Sequence, residues 1–253
     1  MSERSEYPAG VPCWVQTLQP DPDAARGFYK ALLGWGFGAD GSVAQLRGRD
    51  VAGIDMLPAG GAPAWITYIR VKNADDAAQR AGEAGGTVLI GTLDAAPAGR
   101  FAVLADPSGV PFCVWEAGER VGAQLVNEPG TWTMSSLHTP DPDGARRFYG
   151  DLFGWVTEPI APGVEAARLG GYAGEKKQPL PTDTVALIAP AAEGVPPHWN
   201  VNLRVADADA TGERATSLGA TVLGPPVDAF GLRSLVIADP QGAVFSISAP
   251  KVG

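Results

Sequence analysis

The sequence predicts an α+β protein made of two tandem copies of one unit, and three observations carry that prediction. Long segments return in the same order at nearly fixed distances. Each copy opens on a short strand-like run, and a stretch with helical spacing and cap residues follows it. PDPDAARGFYKALLGW, from Pro20 to Trp35, returns as PDPDGARRFYGDLFGW, from Pro140 to Trp155, a shift of 140 − 20 = 120. WITYIRV at Trp65 returns as WNVNLRV at Trp199, a shift of 199 − 65 = 134, and ADPSGVPF at Ala105 returns as ADPQGAVF at Ala238, a shift of 133. The second copy therefore carries about 14 extra residues (134 − 120) between Trp155 and Val185.

These shifts divide the 253 residues into an N-terminal tail (1–10), a first domain (11–117), a linker (118–130) and a second domain (131–250). The linker, GERVGAQLVNEPG, is polar and punctuated by Gly and Pro, as connecting segments tend to be. Each copy divides again. A first strand ends at Asp21 or Asp141, where the Asp suits a helix N-cap, the following Pro the first helical position, and Gly34 or Gly154 the stop. Phe28, Leu32 and Leu33 supply one buried stripe. The second half of each copy repeats the plan with WITYIRV as a strand, Asn73 or Asp207 as cap, and three further strands that in the first copy are TVLIG, RFAVLAD and PFCVWEA. The order strand, helix, about three strands is thus written four times.

Composition excludes several function classes. A net charge of −9 and no cluster of Lys and Arg argue against a nucleic-acid partner. MSERSEYPAGVP lacks the basic start and apolar core of a signal peptide, and no segment reaches membrane-spanning length, so a cytoplasmic setting with no membrane partner is expected. Cys13 and Cys113 both lie in the first copy and read as two free thiols.

A strand, an Asp, a helix carrying Phe-Tyr and Leu-Gly or Phe-Gly, and Asp-Pro-x-Gly before the last strand together resemble the vicinal oxygen chelate superfamily of glyoxalases, bleomycin-resistance proteins and extradiol dioxygenases. The tandem form, with Phe28-Tyr29 and Gly34-Trp35 repeated as Phe148-Tyr149 and Gly154-Trp155, is similar to its two-domain glyoxalase-like, hydroxylase-like and culture-filtrate-antigen branch in actinobacteria. The resemblance implies two glyoxalase-like domains, each of paired βαβββ modules whose strands form a curled mixed-sheet cup around a small molecule. In catalytic members the cup also holds a divalent metal on His, Gln or Glu.

The positions matching those ligands carry Trp14 and Met134, Ile66 and Asn200, Cys113 and Ser246, and Asp55 and Ala189. Neither copy assembles a site, so no metal or other cofactor is expected. A divalent metal would have to use His138 with Asn200 or a nearby carboxylate.

Strand alternation places Trp14, Gln16 and Leu18 on one inward face and Ile66, Tyr68 and Arg70 on the next. The second cup presents Met134, Ser136 and His138 beside Asn200, Asn202 and Arg204. The candidate ligand-binding residues are therefore Trp14, Gln16, Asp55, Tyr68, Met134, Ser136, His138, Asn200 and Asn202, on the pattern of an aromatic wall with a few convergent polar groups. Buried amides and hydroxyls need partners, which favours solvent or a ligand in the cup. Arg100 and Arg233 match between copies and read as structural partners of carboxylates. Trp65 and Trp199 read as packing residues between helix and sheet or between domains. The extra segment, with Lys176 and Lys177, reads as a surface loop or a lid.

The leading expectation is metal-independent binding of a small aromatic or hydrophobic molecule such as a natural product, drug or reactive metabolite. The alternative is a glyoxalase-family enzyme of lyase, hydroxylase or dioxygenase type, with a non-standard metal site or metal-free with Asp55, His138 or Tyr68 as acid or base. The fused copies make a monomer or a homodimer equally admissible.

Overall fold

The computed structural model describes residues 3–38, 41–174 and 180–251. Its first module runs β1 (Pro12–Gln19), α1 (Pro22–Leu33), β2 (Gly36–Phe37), β3 (Val43–Leu46) and β4 (Arg49–Met56). The second runs β5 (Ala64–Arg70), α2 (Ala74–Glu83), β6 (Thr87–Asp94), β7 (Gly99–Ala105) and β8 (Pro111–Ala117). The third runs β9 (Thr131–Thr139), α3 (Pro142–Phe153), β10 (Val156–Ala161), β11 (Val164–Arg168) and β12 (Thr184–Pro190). The fourth runs β13 (His198–Arg204), α4 (Ala208–Ser217), β14 (Thr221–Val222), β15 (Val227–Ala229), β16 (Leu232–Ala238) and β17 (Val244–Pro250). Where the second module has one long β6, the fourth has two short strands, because Pro225 and Pro226 remove two ladder donors between them.

The modules pair within each half of the chain. The first sheet has the order β2-β3-β4-β1-β5-β8-β7-β6, and the second runs β10-β11-β12-β9-β13-β17-β16-β14 with β15 on β16. Both sheets are mixed: β1 runs parallel to β4 and antiparallel to β5, and β9 stands in the same relation to β12 and β13. The α+β reading with two tandem paired-module sheets is what the chain adopts.

All four helices begin as the sequence indicates, with the side chains of Asp21, Asn73, Asp141 and Asp207 accepting from the backbone N–H three residues on. The stripe on α1 differs slightly from expectation. Ala25, Phe28, Tyr29 and Leu33 are buried, while Leu32 is only half-buried.

The faces opposite the cups meet each other. On β5 and β9, Thr67 Oγ1 donates to Ser135 Oγ at 2.8 Å across the two halves. Around this seam the helices reach over: Tyr29 of α1 packs beside Trp35, Trp65 and Phe245, and Tyr149 of α3 beside Trp155, Trp199 and Phe112. Trp65 and Trp199 are thus packing residues at the seam. Each buried aromatic of this size contributes roughly 1.5–3 kcal/mol through removal from water. Trp35 Nε1 donates to the Gly130 carbonyl and Trp155 Nε1 to that of Gly10, both at 2.7 Å, so the segments before each first strand are tied to the other half.

The stretch read as a polar spacer is packed. Ala123, Leu125 and Val126 are buried, and Tyr7 donates to the Ala123 carbonyl at 2.7 Å. Gly122 makes this approach to β1 feasible: its φ is +131°, and a Cβ there would lie 2.4 Å from the Cys13 carbonyl oxygen. Cys13 and Cys113 are both free and buried. No helix of the described residues is long and apolar enough to cross a membrane. Lys176 and Lys177 lie outside the described residues.

Candidate functional site

On the concave face of the first sheet, Trp14 and Gln16 stand on β1, Tyr68 on β5, Phe101 on β7 and Trp115 on β8. With Asp55, Ala95, Arg120 and Gly122 they line a cavity of about 140 Å³. The four sequence-derived candidates of the first copy, Trp14, Gln16, Asp55 and Tyr68, are brought together in it.

Register explains the wall. Trp14 pairs with Tyr68 across β1 and β5, and Phe101 pairs with Trp115 across β7 and β8, so two cross-strand aromatic pairs face one space. Tyr68 meets Phe101 and Trp115 with ring centroids 6.3 and 6.4 Å away. Tyr68 Oη donates to Gln16 Oε1 at 3.2 Å. Gly53, directly across from Gln16 on β4, leaves the room this amide occupies, since a Cβ at Gly53 would stand 2.9 Å from Gln16 Cγ.

Five lining residues escaped the sequence reading, Ala95 in the β6–β7 turn among them. Trp115 lies two residues beyond Cys113, and strand alternation alone would have found it. Phe101 needs the β7–β8 register. Arg120 and Gly122 come from the segment read as a spacer. The Arg120 guanidinium stands 5.8 Å from the Trp14 ring centroid and 4.0 Å from Asp50 Oδ2.

Burial pushes the Tyr68 hydroxyl well above its usual value, and the nearby Cys113 thiol adds to this, so Tyr68 keeps its proton at neutral pH. Burial likewise pushes the Cys113 thiol up to about 12. Asp55, a candidate acid or base in the sequence, is an exposed carboxyl group at the rim, where it accepts from the Met56 N–H at 2.9 Å.

The second cup is built differently. Tyr68 is replaced by Asn202 (202 − 68 = 134), Trp115 by Ser248 (248 − 115 = 133) and Trp14 by Met134 (134 − 14 = 120). Its polar side chains answer one another: Ser246 Oγ donates to Asn200 Oδ1 at 3.1 Å, Ser248 Oγ donates to Asn202 Oδ1 at 2.7 Å, and Ser136 Oγ lies 3.1 Å from His138 Nε2. Cross-strand hydroxyls thus occupy the Asn200 and Asn202 carbonyl oxygens, and Ser136 meets His138 on its own strand, so part of the polar demand expected to call for solvent or a ligand is met inside the protein. Met134 lines a separate cleft.

His138 and His198 face each other across β9 and β13, rings stacked at 4.9 Å and 6°. Burial, then the neighbouring His198, lowers His138 to about 4. Arg100 pairs with Asp75 and Glu116, and Arg233 with Asp209 and Asp228, on the outer surface in both copies.

The residues at the metal positions do not suit a divalent cation. Trp14 and Ile66 offer no lone pair, and Cys113 remains a thiol. In the second copy, parallel imidazole planes do not direct two in-plane lone pairs at one ion. Among the described residues no three His, Cys, Asp or Glu side chains form a metal-sized group.

A family model described as a glyoxalase-like domain matches residues 14–115 and again 132–248. The chain belongs to the glyoxalase-like family. Among curated relatives, "Putative glyoxylase CFP32" of Mycobacterium tuberculosis is 37% identical over 265 residues, covering 99% of this chain and 98% of the relative. The anthracycline biosynthesis protein DauV of a Streptomyces species is 33% identical, with 96% and 94% covered. Among solved structures, this glyoxalase-like chain shares its fold with the Mn(II)-bound glyoxalase of Novosphingobium aromaticivorans. That match has a TM-score of 0.66 and 17% identity, and covers 95% of this chain and 82% of that one. The 2,3-dioxygenase LapB of a Pseudomonas species matches with a TM-score of 0.61 and 12% identity over 96% and 94% of the two chains.

Proposed function

We propose that the first cup binds a small aromatic molecule, one ring at a time, without a metal. The observation that carries this reading is the 140 Å³ cavity walled by Trp14, Tyr68, Phe101 and Trp115. Apolar cavities of roughly 150 Å³ accept benzene. Gln16, Asp55 and Arg120 supply polar contacts for ring substituents, with Tyr68 as a proton-keeping donor. The name of DauV, in anthracycline biosynthesis, accords with an aromatic natural product as ligand. The second cup, where hydroxyls already occupy the Asn200 and Asn202 carbonyl oxygens, is not assigned the same ligand. Buried free thiols accord with a cytoplasmic setting, and the fused halves accord with a monomer.

Calorimetric titration with phenol in the presence of a chelator tests the reading. Wild type is expected to bind, and Trp14→Ala or Phe101→Ala to bind at least tenfold more weakly while keeping the wild-type circular dichroism. Equal binding by folded variants would overturn it.

A metal-free enzyme using the same cup is favoured by one observation: Tyr68, a donor, and Asp55, with its side chain at the rim, line one cavity. Catalysed hydrogen–deuterium exchange at the ring of a bound phenol that disappears in Asp55→Asn would support this second reading; exchange no faster with protein than without it would reject it.

A further inference from the structure

A cleft between the N-terminal tail and the second half, away from the aromatic cup, brings together buried donors that lack acceptors among the described residues and a cation, Arg4, without an ion pair among them. Trp132 is 6% exposed and Thr184 8% exposed, yet Trp132 Nε1 and Thr184 Oγ1 are both shielded from solvent without a hydrogen-bond partner among the described residues. Leaving such groups unsatisfied costs about 1–3 kcal/mol each. Both residues line one cleft of about 60 Å³, together with Arg4, Asn127 and Tyr172. Asn127 Oδ1 already accepts from Thr133 Oγ1 at 2.8 Å, which leaves its amide hydrogens as donors. No Asp or Glu stands among the described residues lining the cleft, in a chain whose net charge is −9. Arg4 makes no ion pair with a described residue, and its charge is felt at Tyr172, where it opposes the upward push of burial on the hydroxyl.

We propose that this cleft is a second small-molecule site, which takes the carboxylate of a short aliphatic acid. A carboxylate is acceptor-only and matches a guanidinium, an indole N–H, a hydroxyl and an amide in one place. Apolar walls from residues such as Val126 and Met134 suit a short hydrocarbon body. On the benzene scale used for the first cup, roughly 25 Å³ per heavy atom, a cleft of about 60 Å³ holds two to three heavy atoms, enough for the carboxylate group itself. This site is independent of the aromatic cup. It supplies an acceptor for Trp132 Nε1 and Thr184 Oγ1, which have none among the described residues.

The test is a ¹H–¹⁵N spectrum of the full chain, in which the Trp132 indole signal is the one missing from Trp132→Phe. Titration with sodium butyrate at constant ionic strength is expected to move that signal saturably. Butyramide, the neutral isostere, is expected to leave it in place, and Arg4→Gln to weaken the butyrate response at least tenfold. An indole signal that ignores butyrate, an equal response to butyramide, or an unchanged response in Arg4→Gln would each overturn the proposal.

Discussion

The Tyr29 hydroxyl in the first half donates to Asp239 Oδ2 in the second at 2.8 Å, and 120 residues later Tyr149 returns the contact to Asp106 Oδ2 at 3.2 Å. Each Asp opens an Asp-Pro-x-Gly turn and uses its other oxygen to hold that turn's backbone: Asp106 Oδ1 accepts from Ser108 and Val110, and Asp239 Oδ1 from Gln241 and Ala243. Each Tyr in turn accepts from an indole, Trp65 or Trp199. One repeated motif therefore fastens each half to the other.

The two fastenings are unequal. Asp239 Oδ2 also accepts from Gln19 Nε2 at 2.6 Å, whereas Asp106 Oδ2 has Tyr149 as its one side-chain donor among the described residues. Tyr149→Phe is expected to lose about 1–3 kcal/mol and Tyr29→Phe less, because only the first leaves a buried carboxylate oxygen without a donor. Urea unfolding midpoints check the order.

His138 gives the second half an acid-sensitive contribution. Its folded value of about 4 lies below the ordinary 6.5, so the fold favours the neutral imidazole. Stability from this group is fully present above about pH 6.5 and is lost as pH falls from there toward 4. With only two histidines in the chain, proton NMR is expected to show one imidazole still neutral near pH 5. His138→Gln should flatten the fall in melting temperature between pH 6.5 and 4.

Gly53→Ala is expected to weaken phenol binding severalfold with little loss of stability. The added Cβ meets the flexible Gln16 side chain, not backbone, so the amide shifts and releases Tyr68. Calorimetry and a melting curve on the same sample separate the two effects.

Much of this fold is legible in sequence because it is written four times: a cap Asp or Asn, a helix, and strands with a fixed alternation. Alternation also sufficed to gather Trp14, Gln16 and Tyr68, since neighbouring central strands fix which faces converge. Arg120 was hidden because composition marks 118–130 as a spacer, and only packing against β1 turns it into a wall. The mutual satisfaction of Asn202 and Ser248 was hidden for another reason. Their pairing depends on the β13–β17 register, which joins residues 46 apart in sequence.

Phenol titration of one preparation, first with chelator and then with added Mn(II), decides whether the Trp14 cup binds without a metal. The expected result is the same affinity and enthalpy in both, with the Trp14 cup engaged each time. Binding that appears only with about one metal ion per chain would contradict the account and put a metal-dependent glyoxalase or dioxygenase chemistry in its place.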